Sequence, residues 1–223
     1  MGCGTDLRVR PRLLIHNTNR ETLKQIKAAK EKIEKAFETY MMNPLEASNM
    51  SQTWFKQQVI LLGNRVDPNK LLAGGNRDEL SASTLKPGSM FMFKYKALNA
   101  GTLPYWDMFP LVIPFKAVSD GFYGLNLHYL QPQLRVQLLN GLYQFATNDK
   151  LNETTKLKFT WQMAEASSKV KYLQPCVKKY LTKQVQSHYM KVDPSAWVAM
   201  LMLPTETFQG AGKAQVWAES RRI

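Results

Sequence analysis

Cysteine is nearly absent: Cys3 and Cys176 are the two in 223 residues. There is no CxxC pair and no histidine-rich segment beside either, which argues against a structural zinc or a disulfide framework and for a reducing compartment. Histidine is as scarce, with His16, His128 and His188 the three in the chain. No GxSxG or HExxH motif supplies a nucleophile or a metal-ligand pair. Long apolar runs are missing too, and none approaches the roughly 18 residues of a membrane span. Met1 to Arg12 lacks the apolar stretch of a signal peptide, and Asp6 stands where N-myristoylation of Gly2 wants Ser or Thr. The expectation is a soluble protein, cytoplasmic when made, with no membrane partner.

The last shortage is of negative charge. Against 30 Lys and Arg there are 17 Asp and Glu, a formal charge of +13. Such an excess repels itself in a compact monomer and is usually balanced by a polyanion, which makes nucleic acid the leading candidate partner. A solubility charge on an assembly subunit, or complementarity to acidic neighbouring proteins, are the competing explanations. The excess is local: residues 1–40 carry nine Lys or Arg against five acids, and residues 151–191 eight against two.

What is present suffices for a core, since 44% of the residues are hydrophobic and 11% aromatic, inside the globular range. Arg8, Arg10 and Arg12 alternate around Pro11, the pattern of an extended basic arm. Thr18 or Asn19 can cap a helix that follows, in which Leu23, Ile26, Ile33, Phe37 and Tyr40 fall on one face. That face packs either on its own domain or on another subunit, and Asn43 and Pro44 end the helix. Three regions result: 1–43, basic arm and amphipathic helix; 44–86, linker with a short helix at Thr53 to Leu62; and 87–223, the main body. Asp67, Pro68, Gly74 and Gly75 read as loop or linker.

The main body reads as α+β. Met90 to Lys96 alternates, with Phe91, Phe93 and Tyr95 on one side and Met90, Met92 and Lys94 on the other, as a half-buried strand requires. Phe109 to Phe115 is a second strand, which Pro110 and Pro114 push toward an edge or a bulge. Ser119, Asp120 and Gly121 make a turn into a third, Phe122 to Leu130. A meander this aromatic must cover both face and edges, and the fold expected is a small SH3-like antiparallel β-barrel over about 87–130, completed by strands near 190–203. Helices surround it: one opening at Pro132, one from Glu153 to Leu173, one from Pro175 to Ser187 and one from Ala214 to Arg222.

Chemistry is thin. His128 has Asp107 and Asp120 as the two carboxylates it could face after folding, but a histidine in a strand without a nucleophile is more often structural. Gly210, Gly212 and Lys213 suggest a phosphate loop that fails, because Thr207 replaces its first glycine and Ala214 its Ser or Thr. Asp107 and Asp120 are the best carboxylates for a metal-dependent nuclease, the least favoured reading. No cofactor, metal or catalytic residue is expected. More content lies in Lys169, Lys171, Lys178, Lys179 and Lys183, which with the three arm arginines could contact phosphates without reading sequence. Tyr105, Trp106, Tyr172, Tyr180 and Tyr189 adjoin this charge, and aromatics beside lysines can stack on unpaired bases.

Pro87-Gly88-Ser89-Met90-Phe91-Met92-Phe93-Lys94-Tyr95, then Leu103-Pro104-Tyr105-Trp106-Asp107, Phe109-Pro110-Leu111-Val112-Ile113 and Gly121 to Leu130, resemble a family of virion proteins from contractile-tailed bacteriophages. The ending Val216-Trp217-Ala218-Glu219-Ser220-Arg221-Arg222 is similar too. The order of a Pro-Gly turn, an apolar strand, a loop and Pro-Leu-Val-Ile also resembles the SH3-like barrels of small toxin proteins, a likeness of design and not of activity. Within the phage family the best match is the DNA end protector or head-completion type. That resemblance implies a non-enzymatic virion protein in a ring or multi-subunit assembly with other virion proteins, bound to the packaged double-stranded DNA end. A neck, tail or baseplate adaptor without DNA binding is the rival it leaves.

Overall fold

The computed structural model describes residues 67–74, 85–86, 88–146 and 151–222. The expected arm with Arg8, Arg10 and Arg12, the expected helix face of Leu23, Ile26, Ile33, Phe37 and Tyr40, and the expected short helix at 53–62 lie outside the described residues.

Five strands form one antiparallel sheet: β1 (Met90–Met92), β3 (Leu111–Val118), β4 (Gly121–Asn126), β5 (Val177–Leu181) and β6 (Met190–Val192), in the order β5-β4-β3-β1-β6. A two-stranded pair, β2 (Trp106–Asp107) with β7 (Phe208–Gln209), lies apart from it. The α+β class holds. The closed barrel does not: β5 and β6 are edges, and no ladder among the described residues joins them. Instead a 3-10 turn at Thr182–Gln184 carries the chain from β5 toward the extension of β1. There Lys96 N donates to Gln184 O at 3.1 Å and Gln186 N to Lys94 O at 2.8 Å, and Tyr95 bridges Val185.

The alternation in β1 divides the core as expected. Met90 and Met92 enter a large aliphatic cluster with Leu111, Ile113, Leu125, Leu138 and Trp197. Phe91, Phe93 and Tyr95 enter a second cluster with Phe122, Tyr180 and Tyr189. Phe93 is fully buried and meets Tyr180 and Tyr189 edge-on, with ring centroids 5.3 and 5.0 Å away, the geometry that the ring quadrupole favours.

Of the edge or bulge expected at Pro114, the bulge is the one realised: β3 is the central strand, and its register with β4 shifts between Pro114 and Lys116, which absorbs the missing donor. Several other elements depart from expectation for local reasons. Residues 177–187 form no α-helix. Val177 to Leu181 pair residue for residue with Leu125 back to Gly121, so cross-strand pairing overrides a helical spacing. Val198 to Leu203 is no returning strand: all but Leu203 lie in α4 (Trp197–Met202), whose Trp197, Met200 and Leu201 recur at three and four and are buried. The "linker" at Pro68 is helix α1 (Pro68–Gly74): Asp67 Oδ1 accepts from Asn69 N at 2.9 Å, and Leu72 reaches the core.

The remaining helices are α2 (Pro132–Ala146), α3 (Glu153–Ser167) and α5 (Lys213–Ser220). Asn152 caps α3 by accepting from Thr155 N at 2.9 Å, and α3 lies against β3, where Trp161 Nε1 donates to Phe115 O. The close approach between α3 and the turn before β1 depends on Gly88. Its φ is +85°, and a Cβ there would meet the Leu157 carbonyl oxygen and lie 2.7 Å from Trp161 N. Gly88→Ala is expected to cost at least about 1–3 kcal/mol, read as a lower urea midpoint at unchanged slope; an unchanged midpoint would show that the α3 contact is not rigid.

Candidate nucleic-acid interface

Of the lysines singled out from sequence, Lys169, Lys171 and Lys183 are exposed. Lys169 lies in the turn after α3, Lys171 opens the 3-10 segment Lys171–Cys176, and Lys183 sits in the 3-10 turn after β5. Lys178 and Lys179 are neighbours in β5 and therefore point to opposite sides. Lys179 reaches the β3–β4 turn, where its Nζ is 2.7 Å from Asp120 Oδ2. The hydrogen bond raises the lysine pKa and lowers that of the aspartate. Lys178 instead folds over Tyr129, its ammonium 4.1 Å from the ring centroid, and burial lowers its pKa. The ring face offers the cation a quadrupole in place of water.

These two lysines border a cleft of about 400 Å³. Its wall includes Tyr95, Tyr105, Trp106, Tyr129 and Tyr180, and its mouth has Leu98 and Leu103. Those two are the exposed large hydrophobics of the described residues, at 63% and 43%. Tyr105, Trp106 and Tyr180, noted in the sequence, thus do meet beside the lysines. Tyr189 is buried in the second core cluster, and Tyr172 packs elsewhere on the main core. Sequence reasoning missed Leu98, Leu103, Tyr95 and Tyr129 as cleft residues. The one available signal was the apolar pair in an otherwise turn-rich loop.

Beneath the cleft lies a buried polar network. His128 Nδ1 is 2.7 Å from Asp107 Oδ2, and its Nε2 is 3.1 Å from Thr205 Oγ1. This acid–histidine–hydroxyl order has the geometry of a nucleophile relay, yet Thr205 and His128 are both 0% exposed, so no substrate atom can reach the hydroxyl. Asp107 is spent structurally as well. It accepts from Phe109 N at 3.1 Å, Thr207 N at 3.4 Å and Asn126 Nδ2 at 3.1 Å, and Asn126 also donates to Tyr180 Oη at 2.9 Å. The network thereby fixes a cleft wall. With Asp107 so engaged and Asp120 on Lys179, neither offers a metal a free carboxylate, and among the described residues no three His, Cys, Asp or Glu side chains gather. Cys176 is buried, its thiol pushed up to about 12, which leaves it unreactive.

Arg135 closes the network from below. Its Nε donates to Leu130 O at 2.9 Å, and its two terminal nitrogens to Leu201 O and His128 O, both at 3.3 Å. Glu206 lies 3.5 Å from it and 3.6 Å from Lys213. Gly210, from the failed phosphate loop, has φ +89° against the Pro104 carbonyl, which explains its glycine without a phosphate. Burial pushes the Glu206 carboxyl up, but Arg135 foremost, with His128, a backbone hydrogen bond and Lys213, outweighs it and holds it below its ordinary value. As pH falls the unfolded chain therefore takes up this proton first. The stability from Glu206 is complete above the ordinary glutamate pKa near ~4.3 and is lost as pH falls through the depressed value. A flatter acid limb of Tm against pH is expected for Glu206→Gln; an acid limb unchanged from the parent would contradict the pairing.

Among the described residues, then, a basic rim borders an aromatic cleft above a buried polar network. The family model of the phage T4 terminal DNA protecting protein matches residues 16–220. The chain belongs to this family. The match takes in every described strand and helix, and it bears out the phage DNA end protector resemblance carried by the segments around β1, β3 and β4. No curated protein and no solved structure matches the chain. Among the described residues no helix is long and apolar enough to cross a membrane.

Proposed function

We propose that this protein binds the ends of linear phage DNA within the virion and shields them, as a structural component that does no chemistry on the DNA. The family match over residues 16–220 carries the proposal. The charge of +13 supports it, as do the exposed Lys169, Lys171 and Lys183. In this reading those lysines, with Lys178, Lys179 and the arm residues Arg8, Arg10 and Arg12, hold phosphates and leave bases unread, so binding is independent of sequence. Leu23, Ile26, Ile33, Phe37 and Tyr40 dock the N-terminal helix on neighbouring virion proteins.

The scaffold of this proposal is SH3-like. Its support is the sheet order, with the last strand on the free side of the first and a 3-10 turn before it. Such a scaffold implies no activity by itself. The test is exonuclease digestion of a linear duplex with protein added in steps. Protection should saturate at a fixed number of molecules per end, whatever the fragment length. Digestion at the unprotected rate, with protein bound along the duplex, would overturn the proposal.

A further inference from the structure

We infer that the cleft between β2, β5 and the loop carrying Leu98 and Leu103 takes the terminal nucleotide of the DNA end, its base against the aromatic wall and its phosphate on Lys178. This rests on the DNA-end reading above and adds what distinguishes an end from the middle of a duplex.

Charge decides first. Four ionisable side chains other than tyrosines border the cleft, Asp107, Asp120, Lys178 and Lys179. Asp120 and Lys179 neutralise each other at 2.7 Å. Asp107 is 3% exposed and accepts hydrogen bonds from two backbone amides, Asn126 and the His128 ring. Lys178 is left as the cleft's cation with no carboxylate partner among the described residues. It rests on the face of Tyr129, and burial lowers its pKa. An arriving anion would oppose that shift, because an opposite charge favours the ammonium.

Shape and surface decide next. A volume of about 400 Å³ lies within the roughly 300–1,000 Å³ of small-ligand sites, enough for one nucleotide and far too small for a duplex. Tyr105 and Trp106 are the half-buried rings of the wall, backed by the buried Tyr95, Tyr129 and Tyr180, and Leu98 and Leu103 stand exposed at the mouth, which suits a planar apolar body that carries its charge at one side. Aromatic side chains stack on any base, in keeping with a protein that reads no sequence. A base inside a duplex is stacked on both faces and costs unstacking energy to extract, whereas a terminal base has one free face and frays. The cleft therefore prefers ends for a physical reason that the lysine rim lacks.

The test uses the full-length protein and a blunt duplex carrying 2-aminopurine either at its terminal position or at its centre. A closed circular duplex measures binding without ends. Stacking should quench the terminal probe when protein binds and leave the central one unchanged. Lys178→Met removes the cation. Leu103→Asp, at an exposed position that folding does not need, sets a carboxylate at the mouth. Each is expected to weaken binding to the ended duplex about five- to 150-fold, the range that loss of one stacked base gives, and to abolish the terminal quench, while circle binding stays within about twofold for Leu103→Asp and falls for Lys178→Met by no more than the loss of one phosphate contact. A wild-type protein that prefers ends but quenches both probes alike, or variants that keep wild-type end affinity, would overturn the cleft assignment alone. A wild-type protein that binds the circle as tightly as the ended duplex would overturn the DNA-end reading with it.

Discussion

Affinity for duplex DNA is expected to fall by about 10³- to 10⁵-fold between 50 and 200 mM salt, the loss given by six to ten phosphate contacts. The eight basic residues proposed for this surface are of that number. Each cation that neutralises a phosphate releases condensed counterions, so the slope of log affinity on log salt counts contacts at about 0.9 each. Lys169, Lys171 and Lys183 are exposed and take no part in the core, so replacing all three by Gln should leave the fold intact. The slope should become shallower by about 3, and linear and circular DNA should weaken alike. Lys179 contributes less than its exposure suggests, because Asp120 already holds it. A flat salt dependence would remove phosphate contacts from the explanation, and a triple variant with the parent slope would move them elsewhere, the arm arginines being next in line.

Unfolding should respond most to Arg135. It is 1% exposed and ties together the carbonyls of His128, Leu130 and Leu201, and it faces the buried Glu206. Burial lowers its pKa while Glu206 opposes the shift, and the guanidinium's charge is met by carbonyls and one carboxylate in place of water. Removing one partner of a buried pair leaves the other uncompensated, at a cost of about 3–5 kcal/mol. Arg135→Met is expected to lose that much in urea unfolding. Because the charge left behind is part of the loss, Arg135→Met with Glu206→Gln should lose less than the sum of the two single changes. Additive losses would show that the two side chains do not interact. Since Arg135 anchors His128 and the segment leading to Tyr129, the single variant should also loosen the cleft floor and weaken end binding.

The sequence made some of this structure legible and hid the rest, for physical reasons. Alternation in Met90 to Tyr95 sorted side chains into the right two clusters because the strand is buried on both sides by chemically distinct partners. Pro132 marked a true helix start through a backbone rule that acts locally. Local rules failed where a distant strand decided. Pro175 and the spacing of Val177, Tyr180 and Leu181 fit a helix start, but β4 offers five paired residues and wins. At 197–202 the run Trp-Val-Ala-Met-Leu-Met fits either period, and length alone could not arbitrate. At Pro68 the signs of a short helix, an Asp before and a Gly at its end, were present and read as linker.

The site was legible in its parts and not in its arrangement. Lysines and tyrosines near 170–190 could be marked from composition, but a helix would have shown Lys178 and Lys179 together to solvent. The strand separates them, gives one to Asp120 and leaves the other over Tyr129 beside an open cleft. Asp107 facing His128 was foreseen as one of two choices and is the one realised, at 2.7 Å. Its role as a buried support followed from burial, which no pattern of residues reveals.

The central claim, that this protein recognises DNA ends, is tested most directly by competition between a linear duplex and the same sequence as a closed circle, at equal nucleotide concentration and physiological salt. Preference for the linear form that grows as fragments shorten, and so as ends per nucleotide rise, is the predicted result. Equal competition by circle and fragments at every length would contradict it.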